Sequence, residues 1–214
     1  MPLQLVTAGE ADALRIAELE RDAYADSPIS PVLFPGPHPA NSLELRAAQM
    51  AEFLRANPHT VHWLKVVDTD LAHDAESQQL VAFAQWHVYH PDPAPPVERQ
   101  TFGPGSDPEA CHDFFSPIWD TRERVMGGKT YVYLKYLTTD PKHQRRGAGR
   151  MLMKWGIDEA DRLGLPVWLE ASPEGKKLYE SCGLKVVETL EMDLSKYGMT
   201  GVHRTCSMRR DPSN

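Results

Sequence analysis

Apolar runs with strand-like content alternate along this chain with stretches of helical period. The most ordered passage is Tyr131 to Leu163. Tyr131–Thr139 (YVYLKYLTT) is rich in β-branched and aromatic residues and carries one charge, Lys135, which predicts a buried strand. Asp140-Pro141 stops it, since Pro brings no N–H to a ladder. A basic turn, residues 142–150, leads into a helix. Ala148, Leu152, Met153, Trp155, Ile157, Ala160 and Leu163 mark its inner face, and Arg150, Lys154, Asp158 and Asp161 its outer one. Met151 and Glu159 do not obey the division, and Gly164 with Pro166 ends the helix.

The same reading extends both ways. Leu3–Val6 predicts a first strand, and Thr7 with Glu10 a capping box for a helix to Tyr24. Residues 25–40 hold five prolines and predict a stiff irregular loop. Asn41 and Glu44 predict the start of a second helix, with Leu43, Ala47, Met50 and Leu54 inward and Asn57-Pro58 at its end. Val61–Val67 and Leu80–Tyr89 predict an antiparallel pair joined by the polar loop 68–79. Residues 91–128 form a long connection with a polyproline-like start and a short helix opened by Asp107-Pro108. Val167–Ala171 is the fifth strand, parallel to the central one because a helix joins them. Ser172 caps and Pro173 opens the next helix, which Gly183 ends. Leu184–Leu194 and Arg204–Arg210 are the last strands. The fold class expected is α/β (α+β), a mixed and mostly antiparallel sheet of seven strands flanked by helices. Residues 1–214 read as a single domain, with 91–128 a Pro-rich insertion packed on the sheet or lining a pocket.

Composition narrows the class. Of 214 residues, 41% are hydrophobic and 25% charged, as in ordinary globular proteins, and no apolar run approaches a membrane span. No signal peptide is visible at Met1-Pro2-Leu3-Gln4, and the three cysteines form no C-x-x-C, so a reducing cytoplasmic setting is expected. The net charge of −7 argues against nucleic acid as a partner. The histidines follow no standard zinc spacing and have no cysteine beside them, so no metal is expected.

The basic turn is then a local exception on an acidic chain. A helix N-terminus leaves its first N–H groups without partners and carries partial positive charge. Gly147 and Gly149 let backbone and ligand approach closely, and Arg145, Arg146 and Arg150 add charges suited to phosphate. The bland reading is a solvated turn; the flanking strand, helix and arginines favour a phosphate-bearing ligand. The P-loop spacing is absent, and Leu152 stands where a dinucleotide fingerprint needs its third Gly.

Gln144-Arg145-Arg146-Gly147-Ala148-Gly149 resembles the Q/R-x-x-G-x-G/A signature of the GNAT superfamily of N-acyltransferases. Glu170 to Leu184, with Leu178-Tyr179-Glu180 and Gly183-Leu184, is similar to that family's strand, helix and "LYE-x-x-GF" ending, with Leu184 for the usual Phe. The resemblance implies splayed fourth and fifth strands and acetyl-CoA as cofactor. It implies direct transfer of the acetyl group to a primary amine of a small molecule. A protein or peptide acceptor, or a non-catalytic acyl-CoA-binding regulator, is the alternative, and a homodimer would be common for the family. Carried over, Leu137, Thr138 and Thr139 would meet the pantetheine arm, and a backbone N–H near Leu137 the developing oxyanion. Gln144, Arg145, Arg146, Gly147, Ala148, Gly149 and Arg150 would hold the pyrophosphate. Ser172, Gly175 and Lys176 would also lie along the cofactor. Tyr179 would be the general acid, or else a packing aromatic. For the general base Glu170 is the first candidate, with Asp26, His87 and water as alternatives. On the acceptor side, Asp26, Phe34 and His87 are candidate contacts, with His38 beside Phe34; Phe34 alternatively just tethers its loop.

Overall fold

The computed structural model describes residues 2–71 and 79–213. Most of the polar loop expected at 68–79 therefore lies outside the described residues. The strands are β1 (Leu3–Thr7), β2 (Val61–Asp68), β3 (Leu80–Tyr89), β4 (Tyr131–Thr139), β5 (Val167–Ala171), β6 (Lys185–Asp193) and β7 (Val202–Arg210). They form one sheet in the order β1-β2-β3-β4-β5-β7-β6. Every pair is antiparallel except β4 with β5, the pair that a helix joins. The mixed, mostly antiparallel sheet is thus as the sequence pattern requires.

The helices are α1 (Ala13–Tyr24), α2 (Ser30–Leu33), α3 (Ser42–Ala56), α4 (Pro108–Met126), α5 (Ala148–Leu163) and α6 (Pro173–Ser181). On one face of the sheet, Ala148, Leu152, Met153 and Ala160 of α5 and Tyr179 of α6 pack on Val132, Leu134, Val167 and Leu169. On the other, α1 and α3 cover Trp63 and Phe83, while Met126 of α4 packs with Tyr131, Tyr133 and Trp168. Alternation along β4 and β5 explains this: Tyr133 and Trp168 point one way, Leu134 and Leu169 the other.

Three local expectations are corrected. Thr7 and Glu10 do not cap α1. The strand runs through Thr7, and the Asp12 carboxylate instead turns back to accept from the Gly9 N–H at 2.9 Å, so the helix proper begins at Ala13. Asn41 makes no side-chain cap on α3. The helix opened by Asp107 is not short. Asp107 accepts from the N–H groups of Glu109 and Ala110 as a cap should, but α4 continues past Pro117 to Met126. Pro117 removes a donor. Burial of Cys111, Ile118, Trp119 and Met126 holds the helix on the sheet through it.

Candidate active site

The site begins where β4 leaves β5. They pair only through Val132–Val167, Tyr133–Trp168 and Leu134–Leu169. Across the sheet Gln85 opposes Tyr136 while Trp86 opposes Leu134, so Lys135 is the extra residue of a β-bulge. A bulge bends its strand and increases local twist. From Lys135 to Thr139, β4 has β3 on one side and no strand on the other. Meanwhile Glu170 and Ala171 pair with Ser207 and Cys206 of β7. The result is a gap edged by unpaired backbone groups of β4, from which Leu137 packs on the core. Thr138 is buried, its hydroxyl without a partner among the described residues, and Thr139 is half-buried.

The basic turn sits at the end of this gap. Asp140 accepts from the Lys142 N–H at 2.9 Å and pairs with Arg15 at 3.1 Å, which fixes where the strand stops. Arg145 and Gly147 both take positive φ, 61° and 99°. Met151 N–H to the Gly147 carbonyl, 3.1 Å, is the first bond of α5, so the amides of Gly147, Ala148, Gly149 and Arg150 are left to a ligand. A Cβ on Gly149 would stand 3.0 Å from Leu178 and 3.6 Å from Leu137, so α5, α6 and β4 pack closely there. Free amides at a helix N-terminus, in a basic turn, fit a diphosphate.

The side chains of the turn are not equivalent. Gln144 and Arg145 are exposed and unpaired among the described residues. Arg146 is held by the buried Asp68 at 2.6 Å and touches His143 Nδ1 at 2.7 Å. Arg150 donates to Ser181 Oγ at 3.0 Å, tying α5 to α6. Ser172 caps α6 by accepting from Gly175 N–H at 3.3 Å. Lys176 lies 3.7 Å from Glu180 on the helix surface.

Gly175 has a packing reason of its own. A Cβ there would come within 2.8 Å of the Tyr179 ring and 3.3 Å of its hydroxyl. The bare turn of helix thus makes room for Tyr179, which is only 7% exposed. Its hydroxyl makes no hydrogen bond among the described residues. Burial, with Tyr24 and Cys182 nearby, holds the phenol well above its ordinary pKa, so it is protonated throughout the neutral range.

Glu170 points to the opposite face. Its carboxylate accepts from Tyr133 OH at 3.0 Å and from Trp168 Nε1 at 2.7 Å, and Arg122 of α4 stands 3.6 Å away. Close by, His87 is buried in a chain whose order fixes its tautomer. Trp63 Nε1–H donates to Gln85 Oε1 at 3.0 Å, which turns the Gln85 amide nitrogen toward His87 Nε2 at 2.8 Å. Nε2 therefore accepts, and Nδ1–H donates to Tyr89 OH at 3.1 Å. Burial, then the charges of Lys135 and Arg122, push the imidazole pKa down to about 3. Asp26 and Phe34 are exposed, with no side-chain hydrogen bond or ring contact among the described residues.

Two residues given no role by the sequence pattern complete this cluster. Arg122 lies over the Tyr133 ring at 4.3 Å, and Lys135 over Phe53 at 4.9 Å. Lys135 is the lone charge of an otherwise apolar strand, a visible signal. Arg122 gave none while α4 was read as short.

Residues 34–184, more than half of the chain, match the acetyltransferase (GNAT) family. The chain is 26% identical over 81 residues to the probable acyltransferase SID5 of Ajellomyces capsulatus, a match covering 38% of this chain and 54% of that protein, so it spans about half the length of this curated relative. Among solved structures, one of histone acetyltransferase HPA2 and related acetyltransferase from Corynebacterium glutamicum superposes with TM-score 0.63 at 18% identity, over 100% of this chain and 98% of that one. The acetyltransferase yncA of Salmonella typhimurium, solved with acetyl-CoA, gives 0.60 at 14% identity over 100% and 96%. A phosphinothricin acetyltransferase of Sinorhizobium meliloti, also with acetyl-CoA, gives 0.58 at 14% over 100% and 90%. At these identities the structures speak to the fold, which they share with it. The chain belongs to the GNAT family of acyltransferases, whose cosubstrate is acetyl-CoA.

Proposed function

We propose that this protein transfers the acetyl group of acetyl-CoA to a primary amine of a small molecule by direct attack. The observation that carries the reading is the parting of β4 from β5 at Leu134, directly before the free amides of α5 and beside Tyr179. Acetyl-CoA supplies a thioester, an electrophilic carbonyl with a thiolate leaving group. The amides of Gly147 to Arg150, with Gln144 and Arg145, bind its diphosphate. The unpaired edge of β4 from Leu137 to Thr139 takes the extended arm as a strand would, and a backbone N–H there faces the carbonyl oxygen. Tyr179 holds a proton at neutral pH and donates it as the sulfur gains charge. The two oxygens of Glu170 are already taken by Tyr133 OH and Trp168 Nε1–H, beside Arg122. The amine proton therefore leaves through water, and Glu170 holds Tyr133 and Arg122 in place.

A small acceptor is favoured over a peptide because the approach is walled. Gly36 N–H donates to the Gly105 carbonyl and Asp107 N–H to that of Leu33, both at 2.9 Å, joining the two proline-rich segments. Gln100 reaches the Tyr136 phenol, and Glu98 stands within electrostatic range of Lys135. The test is calorimetric titration with acetyl-CoA, followed by labelled acetyl-CoA with a panel of amines and peptides. Acetylated small amines are expected. Turnover of peptides alone would overturn the small acceptor, and absence of acetyl-CoA binding would overturn the whole reading.

A further inference from the structure

The acceptor wall holds three cations, of which one has no direct partner among the described residues. Arg46 is matched by a bidentate pair with Glu20, 2.8 and 2.9 Å. Arg122 has one carboxylate beside it, Glu170 at 3.6 Å, which already accepts from Tyr133 and Trp168. The Arg122 side chain is 11% exposed, and its buried Nη1 has no hydrogen-bond partner among the described residues. Lys135 has neither hydrogen bond nor ion pair among them. Its acidic neighbours within electrostatic reach, Glu98 and Glu20, make no contact with it. Burial first, and then Arg46 and Arg122, bring its ammonium down to about pKa 8, which leaves it mostly charged at neutral pH.

The two cations frame one aromatic surface. Arg122 covers Tyr133 at 4.3 Å; Tyr133 meets His87 at 5.6 Å, His87 meets Phe53 at 5.7 Å, and Lys135 lies 4.9 Å over Phe53. A ring face satisfies a cation's charge in part, yet leaves its N–H donors unused. An unused donor in so dry a place is costly unless something occupies it.

We propose that Lys135 and Arg122 hold a carboxylate of the acceptor, so that the amine substrate is an amino acid or a similar amine bearing one carboxylate. This rests on the reading of the chain as an amine acetyltransferase. Geometry sets the anion: Lys135 has no ion pair among the described residues and Arg122 keeps an unbonded Nη1, donors that the two oxygens of a carboxylate can take. Position agrees with it. The bulge that presents Lys135 is the one at which β4 parts from β5, so a carboxylate held there leaves an amine on the adjacent carbon near the gap. The aromatic surface suits an apolar or aromatic remainder.

The experiment uses matched twins, each an amino acid and its decarboxylated amine: tyrosine and tyramine, tryptophan and tryptamine, methionine and 3-(methylthio)propylamine. The carboxylated member should have the lower KM by about 10- to 100-fold, the worth of a charge-assisted hydrogen bond. Lys135→Met should narrow that preference through KM, and Lys135→Arg should restore it. Equal KM values within twins, or a preference that survives Lys135→Met, would overturn the subsite. The same twins are also compared by thermal shift on protein with and without saturating acetyl-CoA. There the carboxylated member should stabilise more, and equal shifts would overturn the subsite even if no amine turns over. Acetyl-CoA titration alone decides the broader reading, so the two fail separately.

Discussion

Gly156 of α5 faces Trp86 of β3 so closely that a Cβ on the glycine would stand 2.3 Å from Cζ2 of the indole. Trp86 is fully buried and cannot yield. Gly156→Ala would gain about 1 kcal/mol of helix propensity and lose about 1–3 kcal/mol to overpacking. The net expectation is a lower melting temperature. Because α5 also presents Gly147 to Arg150, pushing it off the sheet should weaken acetyl-CoA binding as well. Thermal denaturation and titration of one variant check both, and an unchanged melting temperature would show that the contact relaxes freely.

Arg146 is the arginine of the turn whose charge is already used. Its partner Asp68 is 2% exposed. Burial pushes that carboxyl up, but the bonds from Arg146 and from the Asp70 N–H outweigh it and hold the pKa below its ordinary value. Arg146→Ala leaves Asp68 with the Asp70 N–H and with His143 at 3.9 Å. A loss of about 1–3 kcal/mol in urea unfolding is expected, with modest change in acetyl-CoA affinity. Arg145→Ala should do the reverse, losing affinity and little stability. If Arg146→Ala instead costs affinity and spares stability, the pair with Asp68 gives way to the diphosphate on binding.

Tyr179→Phe should lower kcat by about 100-fold or more, in the range of a positioned general acid, and leave the acetyl-CoA dissociation constant unchanged. The hydroxyl has no protein partner among the described residues, so its loss should barely move stability. A phenol held well above its ordinary pKa also predicts no alkaline fall in wild-type kcat from this group up to about pH 10. Equal turnover in the phenylalanine variant would reduce Tyr179 to a packing aromatic.

The strands, the parallel β4–β5 pair and the turn that opens α5 were legible because each rests on local rules: period, Pro and Gly punctuation, and helix termini. α4 was foreshortened because the burial of Met126, which carries the helix to its end beside Gly127, is tertiary and leaves no local mark. The cap of α1 failed likewise, as two acidic residues compete and only geometry selects Asp12. Gly175 showed in the motif, but its reason, room for the Tyr179 ring, did not. The cluster around Glu170 was least legible. Lys135, Arg122, Glu170 and His87 come from three strands and a helix, and only the bulge at Lys135 and the packing of α4 bring them together.

His87 makes the fold sensitive to acid. Its Nε2 accepts from Gln85 and its Nδ1–H donates to Tyr89, so the neutral ring is the form this site holds. The folded pKa lies at about 3, below the ordinary 6.5. Between those values the unfolded chain binds a proton that the folded protein refuses. Stability from this group is therefore complete above about pH 6.5 and is lost as pH falls toward 3, with a slope of up to about 1.4 kcal/mol per pH unit. At pH 5 the loss should be about 2 kcal/mol relative to neutral pH. Lys135 and Arg122 cannot relieve this, since both are cations and repel the incoming charge. Urea midpoints measured from pH 7.5 to 5 for the wild type and for His87→Gln provide the check. The variant should be less stable at neutral pH but lose less on acidification. Parallel pH profiles would mean that His87 takes up its proton near pH 6.5 after all.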